Sequence, residues 1–306
     1  MNMAEIRHPN ALRGRWLENE PMAKHVSWRA GGTAKRAYLP ADRADLALMI
    51  AGLPAGEPVM FVGLGSNLLV RDGGFPGTVV FVHSVLGSIE RVGEQAIRVG
   101  AGAASPKLAR FAALHDLVGA EFLAGVPGTI GGALAMNAGC YGGETWRIVC
   151  EVTTLGRDGS FMTRSPDDYE IGYRHVALQP GSSVREEWFV DATFVLEAGS
   201  GVEGRARIKD FLARRIATQP LNQPNAGSVF RNPPGDYAAR LIEACGLKGH
   251  RVGNAEISVK HANFIVNLGG ARAADIEALI ELAQQKVRAH SGIGLECEVR
   301  IVGESA

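Results

Sequence analysis

Apolar residues recur with a helical period in several stretches of the chain. Leu46, Met49, Ile50 and Leu53 share a face between Ala41 and Leu53, with Asp42 placed to cap the start. Ser105-Pro106 has the form of an N-cap followed by proline at the first helical position, and opens a helix to about Leu117. Glu203 to Thr218 reads as a basic helix stopped before Pro220, and Asp236 to Cys245 as a shorter one ended by Gly246. The clearest helix is Ala274 to His290, with Ile276, Leu279, Ile280, Ala283 and Val287 on one face and Gly292 beyond its end. Short apolar runs predict strands at Val59–Val62, Thr78–Val82, Ala96–Val99, Cys150–Leu155, Trp188–Leu196, Phe264–Asn267 and Cys297–Val302. In Trp188–Leu196 the alternation of Phe189, Ala192, Phe194 and Leu196 is only partly kept, and Pro180–Glu187 before it is a polar loop.

This mixture is α+β, and it divides into three regions, 1–82, 83–202 and 203–306, with no internal repeat. The 306 residues leave room for two or three domains, and 46% apolar with 21% charged residues is an ordinary globular composition. Lys plus Arg and Asp plus Glu both number 32, a balance that argues against non-specific binding to nucleic acid or to an anionic membrane. No apolar run approaches the ~18 residues of a membrane helix. The opening MNMAEIRHPN lacks the apolar stretch of a signal peptide. Cys140, Cys150, Cys245 and Cys297 show no CxxC spacing, so reduced thiols in a cytoplasmic protein are the expectation. The histidines have no metal-ligand spacing and no metal is expected.

Glycine changes the picture: 39 of 306 residues against a usual ~7% points to tight turns and close backbone approach to a ligand. Gly63-Leu64-Gly65-Ser66-Asn67 follows a strand and could turn its amides toward phosphate oxygens, although five residues alone fit a plain turn better. Gly100-Ala101-Gly102-Ala103-Ala104-Ser105 comes close to a dinucleotide fingerprint, with Glu121 where the ribose-binding acid would stand. Ser105 replaces the third glycine, so the segment reads as a turn beside a ligand and not as a Rossmann fold. There is no GxxxxGK[ST]. Glu121 to Gly139 is the richest of the three and too apolar for a surface loop, which favours a flat or phosphate-bearing ligand.

Two runs, Gly63 to Phe75 and Gly119 to Glu144, resemble the UDP-N-acetylenolpyruvoylglucosamine reductase family of flavoenzymes. Tyr173-Arg174, Gln219-Pro220, Ala226 to Pro233, Leu241 to Gly249, His261 to Asn267 and Leu295 to Arg300 follow in the family's order, so the resemblance spans nearly the whole chain. It implies a two-part FAD-binding unit of the vanillyl-alcohol-oxidase type, formed by the first two regions. A C-terminal substrate domain would cap it, with its last strand returning to the site. It also implies non-covalent FAD, NADPH as co-substrate and a nucleotide-sugar substrate. The chain looks like the shorter class, without an inserted substrate loop, and is expected to be monomeric or weakly associating.

The resemblance assigns the flavin to Gly63, Gly65, Ser66, Asn67 and Leu68, to Gly100, Ala101 and Gly102, and to Gly125, Pro127, Gly128, Thr129, Gly131, Gly132, Asn137 and Gly139. Tyr173, Asn232 and Arg300 would touch substrate. An enolpyruvyl ether reduced at its terminal carbon needs a cation over its carboxylate and one placed acid. Arg174 matches the first need; without the family motif a surface arginine would be the better reading. Ser228 matches the proton donor, although spacing alone favours a turn serine. Glu298 matches a partner that orients substrate or relays the proton, and Arg300, two residues on, would share its face. Among Arg205, Arg207, Lys209, Arg214 and Arg215, mostly a solvated helix face, Arg214 or Arg215 is the candidate to reach a diphosphate. His261 reads as structural. Two departures stand out. Leu64 replaces a usual glycine and would be strained at positive φ. Val176 replaces a usual serine and removes a local support for Arg174. The alternatives are a different flavin oxidase of this fold, against which the GSVF and LECEVR runs argue, and a non-catalytic nucleotide-sugar binder, against which the retained Arg174, Ser228 and Glu298 argue.

Overall fold

A computed structural model describes residues 12–182 and 186–306 of the chain. The opening decapeptide and part of the Pro180–Glu187 loop lie outside the described residues.

The first unit is a four-stranded sheet in the order Arg15–Pro21, Thr33–Leu39, Phe75–Phe81, Val59–Val62, antiparallel at its first pair and parallel beyond. Helix α1 (Arg43–Ala51) covers it, started by Asp42, whose carboxylate accepts from the amide of Asp45. Tyr38, Leu46, Met49, Ile50 and Val80 are buried in a core shared with Leu155 and Val190 of the second unit.

The second unit is an antiparallel sheet in the order Phe161–Arg164, Val149–Gly156, Glu187–Val195, Ala96–Gly100, Ile89–Arg91. A register shift sets Thr153 opposite Asp191 but Thr154 opposite Phe189, leaving Val190 as an extra residue on its strand. This bulge is the physical reason the alternation in that strand breaks. Helix α2 (Ser105–Leu114) has Pro106 in its first turn as expected, but its cap is Ala104; Ser105 lies inside the helix, fully buried. A one-turn helix α3 (Ile130–Ala135) and helix α4 (Gly201–Thr218, capped by the Ser200 hydroxyl) complete the unit.

Helix α4 sits with this second unit. Ile208 and Leu212 join the core of Leu108, Leu123, Trp146 and Phe194, and the Arg207 guanidinium reaches Glu121 at 2.6 Å. The helix that opens the region 203–306 thus packs its apolar face on the second unit. Glu121, which the fingerprint spacing would place on a ribose, instead accepts from the Gly119 amide and from Arg207.

The third unit carries helices α5 (Ala238–Ala244) and α6 (Ala273–Ser291) on a small antiparallel sheet, Arg251–Val252, Ala255–Ile257, Ile265–Asn267. Gly292 ends α6 at φ 74°. The first unit reaches into this core. Trp28, 0% exposed, packs there and donates from its indole to the Ile265 carbonyl at 2.7 Å. The Asp72 carboxylate takes the first two amides of α6, and the Arg71 fork closes on Glu277. Finally Arg300–Val302 pairs in parallel with Leu68–Val70 of the first unit. The predicted strand from Cys297 is thus regular only from Arg300, preceded by an isolated bridge between Cys297 and Phe230.

Candidate active site

The three units meet around a cavity of about 220 Å³. One wall is backbone. Gly63 runs so close to Thr129 that a β-carbon there would lie 2.2 Å from the threonine hydroxyl, and one on Gly128 would lie 2.5 Å from the Ser66 hydroxyl. The first and third glycine-rich segments thus pack on each other across the joint between units. Gly65 carries the left-handed turn at φ +57°, so Leu64 has an ordinary backbone and leaves its side chain 46% exposed; the expected strain is absent. Among the described residues no acceptor takes the amides of Leu64 to Asn67. Ser66, Asn67, Gly125, Pro127, Gly132 and Gly139 line the cavity, and a β-carbon on Gly132 would meet nothing within 4 Å. A run of amide donors without acceptors beside a wall kept open by glycine fits a flat ligand bearing phosphates, and FAD is such a ligand.

The second glycine-rich segment is tightly packed. β-Carbons on Gly100 and Gly102 would collide with the carbonyls of Leu86 and Val82, and Ala101 accepts the Gly131 amide. These residues, with Gly131, form the close packing behind the wall. Asn137 makes hydrogen bonds within the second unit. At φ 42° and 2% exposure, its amide donates to the Gly172 carbonyl and its side-chain oxygen accepts from Trp146.

The opposite wall is made of side chains from distant parts of the chain. Asn263 is buried, and its side chain bonds both the amide and the carbonyl of Phe230, while its own carbonyl takes the Val229 amide. His261, whose ring nitrogen faces the Asn263 amide, supports this clamp. The clamp fixes the loop bearing Ser228. Glu298 joins it through its amide, 2.8 Å from the Val229 carbonyl. Ser228, Glu298 and Arg174 all line the cavity. Arg174 donates from Nε to Glu298 Oε1 at 2.9 Å, and its two terminal nitrogens reach the carbonyls of Gly139 (2.8 Å) and Asn137 (3.3 Å). The Tyr173 ring lies against it. Its support therefore comes from other elements, and Val176 packs instead against the core of the second unit. Burial pushes the Glu298 carboxyl above the usual carboxylate range, against the pull of Arg174 and Arg231.

Arg300 lies elsewhere. The chain bends at Val299, which breaks the two-residue period, and Arg300 with Leu68 lines a neighbouring cavity beside Phe61, Met136 and Trp188. Tyr173 and Asn232 line another, with Arg231 and Glu296. The sequence motifs gave no site role to Cys140 or to Gln219, which was named only within the Gln219-Pro220 match; both line the central cavity. Arg215 lines it too, held by Gln219 at 2.9 Å, whereas Arg214 lies over the Tyr141 ring. Burial pushes the Cys140 thiol up to about 11, so it stays protonated at neutral pH. All four cysteines are unpaired. Among the described residues no three metal-binding side chains cluster, and no helix is long and apolar enough to cross a membrane.

Known proteins resemble this arrangement throughout. Residues 34–165 match the family model described as an FAD binding domain, and residues 219–302 match that of the UDP-N-acetylenolpyruvoylglucosamine reductase C-terminal domain. The chain is 56% identical to the UDP-N-acetylenolpyruvoylglucosamine reductase of Thiobacillus denitrificans, covering 96% of this chain and 94% of that one. It is 57% identical to that of Methylococcus capsulatus, covering 96% and 95%. The crystal structure of the enzyme from Thermus caldophilus superposes with a TM-score of 0.80 at 33% identity, covering 95% of this chain and 99% of that one.

Proposed function

Because the chain belongs to the UDP-N-acetylenolpyruvoylglucosamine reductase family, we propose that it reduces the enolpyruvyl ether of its UDP-N-acetylglucosamine substrate to the lactyl ether of UDP-N-acetylmuramate, a peptidoglycan precursor. The supporting observation is the convergence of Arg174, Ser228 and Glu298 on one cavity whose other wall is glycine backbone. FAD held there would supply the hydride chemistry for the vinyl group, with NADPH as the source of reducing equivalents.

The residues of this chain divide the remaining work. The amides of Leu64 to Asn67 and the open face at Gly132 would hold the flavin. Arg174, already fixed by Glu298 and two carbonyls, presents its remaining N–H groups to the substrate carboxylate, where negative charge collects as hydride arrives. Glu298 holds that guanidinium in place. Ser228 keeps its hydroxyl proton for the carbon next to the carboxylate. Serine is a weak acid in water, but the carbanion it meets is a strong base and the clamp from Asn263 keeps the loop still. Arg215 adds positive charge to the cavity and suits the diphosphate. Tyr173 and Asn232 line the neighbouring cavity, open to the sugar or nucleoside. Arg300 is left for the flavin side of the joint. We place the enzyme in the cytoplasm, with the flavin held non-covalently and the chain acting as a monomer or weak associate.

Purified protein is expected to be yellow. NADPH should bleach it, and the enolpyruvyl nucleotide, with oxygen excluded, should restore the colour. Acid precipitation should leave the flavin in the supernatant. A colourless protein, or bleaching that the nucleotide does not reverse, would overturn this reading.

A further inference from the structure

Tyr173 and Arg174 form the two-residue turn of a hairpin, Tyr169–Gly172 with His175–Leu178, in which Gly172 faces His175. Arg174 has φ +54°. A residue with a β-carbon stays in that region only when its surroundings hold it there. One hold comes from the second unit, where Asn137 donates to the Gly172 carbonyl at 3.1 Å. The other comes from the third unit, where Arg231 Nη2 donates to the carbonyl of Arg174 itself at 3.1 Å.

Arg231 commits little else to the structure. Its Nε is buried without a hydrogen-bond partner, and its Nη1 comes no closer than 3.8 Å to Glu296. A buried guanidinium nitrogen left without an acceptor is costly, so the placement calls for a reason. Its backbone is fixed, since the Arg231 amide donates to the Glu296 carbonyl on the segment that carries Glu298. Arg231 also follows Ser228 on the loop clamped by Asn263.

We propose that Arg231 is a positioning residue for Arg174: by holding the Arg174 carbonyl it keeps the turn left-handed and the guanidinium aimed into the cavity. The segment that presents the proposed proton donor thereby also sets the carboxylate clamp, keeping the two in register across the joint between units. The inference rests on the reading of Arg174 as that clamp.

Three variants test it: Arg231→Met, which keeps the stem and removes the donor; Arg231→Lys, which keeps one donor; and Arg231→Met combined with Arg174→Lys. Stopped-flow measurement would follow bleaching by NADPH and reoxidation by the enolpyruvyl nucleotide. Arg231→Met should bleach at the parent rate, keep its flavin and melt close to the parent, yet reoxidise roughly 10- to 100-fold more slowly, the scale on which a small misplacement is felt. Arg231→Lys should recover most of the loss. The double variant should be no slower than Arg174→Lys alone, because Arg231 acts through Arg174. Losses that multiply in the double variant would mean that Arg231 touches substrate on its own account and would overturn the inference. So would parent-like reoxidation in Arg231→Met, or loss of its flavin. If Arg174→Lys alone turned over like the parent, the clamp reading itself would fall, and this inference with it.

Discussion

The two walls of the cavity are built by opposite means. On the flavin wall, Gly63 against Thr129 and Gly128 against Ser66 work by lacking side chains, and both come from runs of consecutive residues. On the substrate wall, Arg174, Ser228 and Glu298 work by their side chains, and they arrive from three places in the chain, brought together by hydrogen bonds. A wall of backbone tolerates change in its exposed neighbours, as Leu64 shows, but no added carbon where it packs. A wall of side chains depends on each functional group and on what aims it.

The largest effect that would sharpen this contrast is expected from Ser228→Ala. In the proposed role the hydroxyl is needed only after hydride has left the flavin, so bleaching by NADPH should be unchanged. Reoxidation by the enolpyruvyl nucleotide should slow by roughly 10²–10⁴, about 3–5 kcal/mol of barrier. Equal slowing of both half-reactions would make Ser228 a flavin-positioning residue. No slowing of the second would leave Glu298 as the proton source.

Arg174→Lys comes next. Lysine keeps the charge, but a single ammonium cannot satisfy Glu298 and the carbonyls of Asn137 and Gly139 while presenting two N–H groups to a carboxylate. Reoxidation should fall by about 10²-fold with flavin content unchanged, roughly the loss of one bidentate charged contact. A parent-like rate would remove Arg174 from the chemistry.

The difference between the walls also explains what could be read from the sequence. Periodic helices such as α1 and α6 were legible, as were the glycine runs, because both are local signals. The motifs named Arg174, Ser228 and Glu298 only as parts of a family pattern; their mutual contacts are set by tertiary pairings that no spacing encodes. Arg300 shows the limit of a local rule, since the period of two assumes a regular strand and the bend at Val299 ends it. The hairpin Arg15–Pro21 with Thr33–Leu39 was not legible either, because its half-exposed strands mix charged and apolar residues. Helix α4 was legible as a helix but not in its allegiance: Ile208 and Leu212 look outward from any local viewpoint until the turn at Glu121 packs on them. Cys140 carried no signal of its own, and Gln219 only that of a matching dipeptide with no role attached.

A third expectation concerns pH. Burial, opposed by Arg174 and Arg231, leaves the Glu298 carboxyl raised. As pH falls through that raised value the carboxylate protonates and releases the Arg174 Nε. Reoxidation should therefore show an acid limb above the ordinary glutamate range, and Glu298→Gln should lower the plateau and abolish the limb. Stability runs the other way. A group with a raised folded pKa contributes stability that is fully present below its unfolded pKa and lost as pH rises through the folded one. The melting temperature of the parent relative to Glu298→Gln should accordingly improve as pH falls. An acid limb that persists in the variant would assign it to another group.

The smallest effects lie on the flavin wall, where two glycines make opposite predictions. Gly63→Ala puts a carbon 2.2 Å from the Thr129 hydroxyl, and something must move. Overpacking of this kind costs about 1–3 kcal/mol, so the variant should melt lower whether or not flavin is bound. Gly132→Ala meets nothing within 4 Å and lies inside α3, where alanine is favoured over glycine by up to about 1 kcal/mol. Stripped of flavin it should melt as the parent does or slightly higher. Its methyl points to the face reserved for the ligand, so FAD should bind more weakly and the gain in melting temperature on adding FAD should shrink. Titrating FAD against both apo-proteins, with a melt at each point, separates the cases. If Gly132→Ala bound FAD as tightly as the parent, the ligand would not approach this wall, and the comparison between a wall of backbone and a wall of side chains would lose its first half.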